Sequence, residues 1–220
     1  MEAIHTPVRR GALLVAAFFA ALAFAVAAPA QELQEGKQYV RLKNPAPVAT
    51  GKKIEVLEFF SYGCPHCAHL DPELAKWQKT LPADVEFKRV PVMFQDRWII
   101  LGKIYYTLEG LGDEQRLSPE VFAAIHKNGV NLTSDKAFFD WAASKGLDRK
   151  KVEDMYNSFG IGGKVNRARM AAQAYKIQSV PMIVVDGKFV TATDKVGTHA
   201  ALPPAINALV AKARAERPKS

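Results

Sequence analysis

Cysteine is scarce in this chain. Of 220 residues two are cysteine, and both, Cys64 and Cys67, fall in the stretch SYGCPHCAHL, residues 61–70. With no third thiol, the fold cannot be stapled across distance, and the one disulfide the chain can close on itself spans four residues. So short a loop withholds little entropy from the unfolded chain, and such a bond stabilises far less than a long-range bridge. Long apolar runs are missing too. Beyond Ala12–Ala27, no stretch approaches the ~20 residues of a membrane-spanning helix. There is no internal repeat, no low-complexity linker, and no basic run interleaved with aromatics. The formal net charge of +8 is densest in the C-terminal AKARAERPKS. A solvated tail accounts for that charge without nucleic acid as a partner.

What is present begins with a leader. Arg9 and Arg10 precede the apolar run, and Ala28-Pro29-Ala30 sets small residues at the two positions a signal peptidase reads. A basic start, a short apolar stretch and an A-x-A end predict a cleaved secretory signal over residues 1–30. The run is too short for an anchor. The mature chain is then an exported, soluble protein, long enough for one large domain or a domain carrying an insertion. Structural cysteines in an oxidising compartment usually come as several pairs that join distant segments. A single adjacent pair suits reactivity better than stapling.

Residues 52–61, KKIEVLEFFS, read as a buried strand bounded by Gly51 and Gly63. A helix starts at the cysteines, with Cys67, Leu70, Leu74, Trp77 and Leu81 along one face and Pro72 predicted to kink it. Residues 85–92, VEFKRVPV, form a second strand, so the order is βαβ with a parallel pair. From about Arg97 to Tyr175 only helical segments appear. The first covers Trp98–Leu111. The second is capped at Ser118-Pro119 and stops at Asn128-Gly129. A third opens at Ser134 or Asp135, a fourth at Asp148, and a fifth covers Lys164–Tyr175. Short connections predict antiparallel packing into a helical module. Strands return at Met182–Val185 and Lys188–Ala192, joined by a two-residue Asp186-Gly187 turn, and a last helix runs from about Leu202 to Ala215.

Cys64 stands where the first helix begins, and Pro65 fits its first position, where a backbone N–H would lack a partner anyway. Cys64 is then the N-cap. The free N–H groups of His66 and Cys67 and the positive helix end favour its thiolate, and the His66 imidazole adds to this. Cys67 falls on the apolar stripe and is predicted to be shielded, leaving Cys64 the exposed thiol. A Cys64 pKa 2–3 units below ambient pH would be worth roughly 3–4 kcal/mol, or about 60–90 mV toward a stronger oxidant. A metal site of Cys64, Cys67, His66 and His69 is disfavoured, because four ligands within six residues cannot converge from one helix start. His69 is read as a surface residue, His126 and His199 as structural. Glu58 lies in an apolar run where an ionised carboxylate is costly. It is either a strand-end acid reaching solvent or a buried acid that exchanges protons with Cys67. Lys88, or Arg89, is its expected partner. A C-x-x-C after a strand and at a helix start is a thioredoxin-like signal.

VLEFFSYGCPHC and SVPMIVVDGKF closely resemble the DsbA family of periplasmic thiol:disulfide oxidoreductases. The resemblance implies an α/β fold, a thioredoxin fold with an inserted all-helical domain. Its parts would be 31–95 and 171–220 for the thioredoxin fold and 96–170 for the insert. It implies Cys64 as nucleophile, Cys67 as its buried partner, Glu58 as the buried acid, and Val180-Pro181 as a cis-proline loop that binds substrate. It also implies a monomeric dithiol oxidase without cofactor or metal. Reduced, unfolded secreted proteins would be its substrates and a DsbB-type membrane quinone oxidoreductase its reoxidant, in the periplasm. Gly63 stands where the family often has an aromatic, which predicts a less apolar groove rim. The rivals are a disulfide isomerase or reductase, for which no segment ahead of Gly51 supplies a dimerisation domain, and a thiol metallochaperone.

Overall fold

The computed structural model describes residues 32–218, so the leader predicted over 1–30 lies outside the described residues. Strand β2 (Ile54–Phe60) is buried along all seven positions, as a central strand covered on both faces must be. It is joined to the parallel strand β3 (Val85–Pro91) through helix α1 (Pro65–Gln78), which gives the expected βαβ unit. Helix α1 runs unbroken through Pro72. Leu70 and Leu74 on its inner face are fully buried against Ile54, Val56 and the last helix, each contributing roughly 1.5–3 kcal/mol. Asp71 is buried on that face as well.

Strand β4 (Met182–Val185) pairs antiparallel with β2, and β5 (Phe189–Thr191) antiparallel with β4. Asp186 and Gly187 both have positive φ, 53° and 62°, and the Lys188 N–H closes the turn on the Val185 carbonyl at 3.0 Å. A side chain at Gly187 would collide with the Ala46 carbonyl. Val185 pairs with Phe189, so three residues connect the strands rather than the expected two. A two-residue strand β1 (Val40–Arg41), too short to show a sequence pattern, lies against β5 and completes the order β1-β5-β4-β2-β3. Helices α7 (Thr193–Val196) and α8 (Leu202–Glu216) follow β5. The Trp77 indole N–H donates to Asn207 Oδ1 at 2.8 Å, tying α1 to α8.

Between β3 and β4 lie α2 (Asp96–Leu111), α3 (Glu114–His126), α4 (Asp135–Ser144), α5 (Arg149–Tyr156) and α6 (Phe159–Ala174). The Ser134 and Asp148 side chains cap α4 and α5 by accepting from the N–H groups of Ala137 and Lys151, as the sequence predicts. Two starts differ. Helix α3 begins at Glu114, so Ser118-Pro119 lies inside it. Ser118 is no cap, because its hydroxyl is buried and bonded to Glu114 and Tyr62 instead. Helix α6 begins at Phe159, where Ser158 accepts from the Ile161 N–H, and it absorbs Gly160, Gly162 and Gly163. It buries Ile161, Val165 and Ala168 among the helices, while Ala171 and Ala172 near its end pack with Tyr175 on the sheet. No helix among the described residues is long and apolar enough to cross a membrane.

Candidate active site

Strand β2 delivers the chain to a tight corner, Ser61-Tyr62-Gly63, that ends at Cys64. The Cys64 N–H donates to the Ser61 carbonyl at 3.0 Å, and the Gly63 N–H to Ser61 Oγ at 3.1 Å. Helix α3 grips this corner. The Tyr62 hydroxyl and Ser118 Oγ are 2.5 Å apart, the Tyr62 and Phe122 rings meet edge to face at 4.9 Å, and His126 Nε2 lies 2.7 Å from the Tyr62 carbonyl. Glycine fits closely here, because a Cβ at position 63 would lie 2.7 Å from Trp98 Nε1 and 3.1 Å from Leu101 Cδ1 and would force those side chains to shift. The Trp98 indole of α2, 35 residues downstream, thus packs directly beside Gly63.

Cys64 is the N-cap of α1 with Pro65 at its first position, as predicted. Both thiols are unlinked. Cys64 is not the open thiol the sequence suggests. It is 6% exposed against 0% for Cys67, because the Val180-Pro181 loop closes over it and Cys64 Sγ donates to the Val180 carbonyl at 3.4 Å. That Val180-Pro181 bond is cis. The two thiols are displaced in opposite directions. The Cys64 pKa is pushed down to about 6, first by a hydrogen bond from the Cys67 thiol, against the opposing effect of burial. The backbone N–H groups of Cys67 and His66 assist without closing a capping hydrogen bond. The His66 charge is the weakest of the named supports, since the exposed imidazole acts only through space. Cys67 is pushed strongly upward, chiefly by burial, then by Cys64 and Glu58. A mainly apolar cleft of about 350 Å³ opens beside the Val180-Pro181 loop, lined by His66, Val180, Pro181, Thr193, Asp194 and His199 among others. His69 is exposed, its ring 6.2 Å from that of His199. Among the described residues, no three His, Cys, Asp or Glu side chains converge as metal ligands.

Glu58 points from β2 toward α1 and is 1% exposed, so the solvent-reaching alternative is excluded. Its partner is Arg89 and not Lys88. The register pairs Glu58 with Arg89, and neighbours in a strand point to opposite faces. Lys88 therefore turns to Glu86 and Glu55, at 3.0 and 3.9 Å. Arg89 Nε lies 2.8 Å from Glu58 Oε2, but off the hydrogen-bond axis, leaving both atoms without an aligned partner. The guanidinium also reaches Asp71 at 2.6 Å and Glu114 at 3.4 Å. Burial would lower the Arg89 pKa, but the three carboxylates outweigh it. Burial raises the Glu58 carboxyl to about 7; Arg89 opposes this, and Asp71 and Glu114 add to it. Of the residues singled out in the sequence, Cys64, Pro65, His66, Cys67, Val180 and Pro181 meet at one corner, with Glu58 beneath. Asp71, Glu114, Ser118 and His126 were missed as site residues. The spacing of four that joins Glu114, Ser118, Phe122 and His126 was the available signal.

This arrangement has relatives. The model of the DSBA-like thioredoxin domain matches residues 101–201. The chain is 42% identical to the thiol:disulfide interchange protein DsbA of Pseudomonas aeruginosa over 82% of its length and 85% of that protein's. It is 43% identical to the DsbA of Bordetella parapertussis, over 81% and 84%. Among solved structures, that of Pseudomonas aeruginosa DsbA superposes with a TM-score of 0.80 at 39% identity, covering 83% of this chain and 95% of that one. The Xylella fastidiosa DsbA structure does so at 0.76 and 28% identity, over 84% and 99%. The chain thus carries its paired thiols on a thioredoxin-like fold and belongs to the DsbA family of thiol:disulfide oxidoreductases.

Proposed function

We propose that Cys64 and Cys67 form a redox pair that, as a disulfide, oxidises dithiols in folding secreted proteins. The observation that carries this reading is the opposite displacement of the two thiols, Cys64 down to about 6 and Cys67 upward. Stabilising one thiolate stabilises the reduced pair, which makes the disulfide the stronger oxidant. A substrate thiolate attacks Cys64 Sγ, and the new S–S bond forms as the Cys64–Cys67 bond breaks. The electron pair goes to Cys67 Sγ, which takes a proton from the Glu58 carboxyl. A second substrate thiolate then attacks the substrate's own sulfur and expels Cys64 as thiolate, leaving in the substrate the disulfide that the protein gave up. Two electrons have passed to the protein.

Pro65 sets the helix start, His66 adds positive charge beside Cys64, and the Val180 backbone pairs with an extended substrate strand. Pro181 keeps that loop over the sulfur. Reoxidation falls to a membrane quinone oxidoreductase of the DsbB type. The site of action is the periplasm, after cleavage of the leader near Ala30, and the protein works as a monomer in the domain arrangement drawn from its sequence. The test is the Cys64–Cys67 potential in glutathione buffers, together with oxidation of a reduced, unfolded substrate. A value well above the ~−270 mV of a thioredoxin-type reductant, with stoichiometric substrate oxidation, is expected. A thioredoxin-like value, or rescue of scrambled rather than reduced substrate, would overturn the oxidase reading.

A further inference from the structure

Helix α3 presents Glu114, Ser118, Phe122 and His126 along one face, and the last three hold Tyr62. Glu114 acts elsewhere. It accepts from Ser118 Oγ at 2.8 Å and lies 3.4 Å from Arg89. Arg89 of β3 is thus one cation among three acids from three other elements: Glu58 of β2, Asp71 of α1 and Glu114 of α3. The other titratable groups of this corner are the Tyr62 and Tyr105 phenols and the Cys67 thiol, all kept neutral chiefly by burial, and His126 at the Tyr62 carbonyl. Side-chain exposure rises from 2% at Glu58 through 6% at Asp71 to 18% at Glu114. Glu114 borders a cleft of about 440 Å³ between α1 and α3, with Lys79 and Gln115. A guanidinium divided among three acceptors supports each less than it would support one. The acid with least water to replace that support is Glu58.

We propose that Glu114 is a positioning residue for proton exchange at Cys67: by holding part of the Arg89 charge toward the helical block, it keeps Glu58 able to carry a proton near neutrality. The helical block then sets the pH range in which the redox pair works. This rests on the proton transfer from Glu58 to Cys67 proposed above. When the Cys64–Cys67 bond breaks, Glu58 gives its proton to Cys67 Sγ and becomes a carboxylate beside Arg89. Without the charge of Glu114, Arg89 supports that carboxylate more strongly and the proton leaves at lower pH.

Glu114→Gln keeps the shape and an acceptor for Ser118 while removing the charge. The Glu58 carboxyl is followed by ¹³C NMR titration, and oxidation of a small dithiol peptide by stopped flow from pH 5 to 9, in wild type, Glu114→Gln, Glu58→Gln and the double variant. Expected is a fall of about one unit in the Glu58 midpoint, with the alkaline limb of the rate moving equally and a loss of up to about tenfold at pH 8. Glu114→Asp should restore both, and Glu58→Gln should abolish the effect of Glu114→Gln. If Glu58→Gln keeps the wild-type profile, the proton transfer itself fails. If it flattens the profile while Glu114→Gln leaves the Glu58 midpoint in place, the role of Glu114 alone is refuted. An equal shift in the Glu58→Gln background, or a lowered melting temperature with an unmoved midpoint, also overturns it.

Discussion

Replacing Cys67 by alanine removes the largest single support of the Cys64 thiolate while leaving the helix start, Pro65 and His66 in place. A hydrogen bond to a charged group is worth roughly 1.5–3 kcal/mol. At about 1.36 kcal/mol per unit, that is one to two pKa units. Cys67→Ala should therefore carry Cys64 from about 6 to about 7–8. Cys67→Ser, which keeps a donor of nearly the same reach, should fall between wild type and alanine. His66→Ser removes an exposed imidazole that makes no hydrogen bond to the sulfur. Exposed charge pairs are worth only about 0.2–1 kcal/mol, so this variant should move Cys64 by well under one unit. The assay is thiolate absorbance at 240 nm against pH, checked by the pH dependence of alkylation. A His66→Ser shift as large as that of Cys67→Ala, or a serine variant no better than alanine, would refute the assignment of the acidic thiol to its partner cysteine.

The depressed Cys64 pKa also makes the reduced state's stability depend on pH. The stabilisation is complete above pH 9, the ordinary cysteine value, and is lost as pH falls through about 6. It should amount to about 4 kcal/mol at high pH and ~1.4 kcal/mol at pH 7. Denaturant melts of reduced minus oxidised protein read it directly, and a difference that is flat between pH 6 and 9 would contradict it. For Glu58 the sign is opposite, because its pKa is raised to about 7. Ionising it costs the fold up to about 3 kcal/mol above pH 7, so Glu58→Gln should slow exchange yet melt higher at pH 8; a lower melting temperature there would tell against a strained carboxylate. Gly63→Ala should lose about 1–3 kcal/mol by forcing the Trp98 indole aside, measured by thermal denaturation, with an unchanged midpoint as the contrary result.

Features carried by neighbouring residues were legible in the sequence. The buried strand over 54–60, the Cys-Pro start of α1, the Asp-Gly turn and the caps at Ser134 and Asp148 all follow from local periodicity and turn chemistry. Local signals misled where a distant partner outbid them. Ser118-Pro119 has the form of a helix start, but the Ser118 hydroxyl is claimed by Tyr62, 56 residues away, and α3 begins a turn earlier. The fifth helix is expected only from Lys164, yet the Ser158 cap and the buried Ile161 and Val165 start α6 at Phe159 and carry it through Gly160, Gly162 and Gly163.

The sequence by itself determined that this chain carries two thiols and no others, set at a helix N-terminus after a buried strand, with an acid in that strand. Residue type and spacing along the chain suffice for that. Only the tertiary structure decided that Arg89 rather than Lys88 meets Glu58, since both lie in β3 and strand register alone selects the face. It likewise decided that the Val180-Pro181 loop covers Cys64, and that Asp71 and Glu114 share the Arg89 charge. Those groups converge from separate elements, and the distance between charges, which sets the balance of protons at the redox pair, has no counterpart in sequence separation.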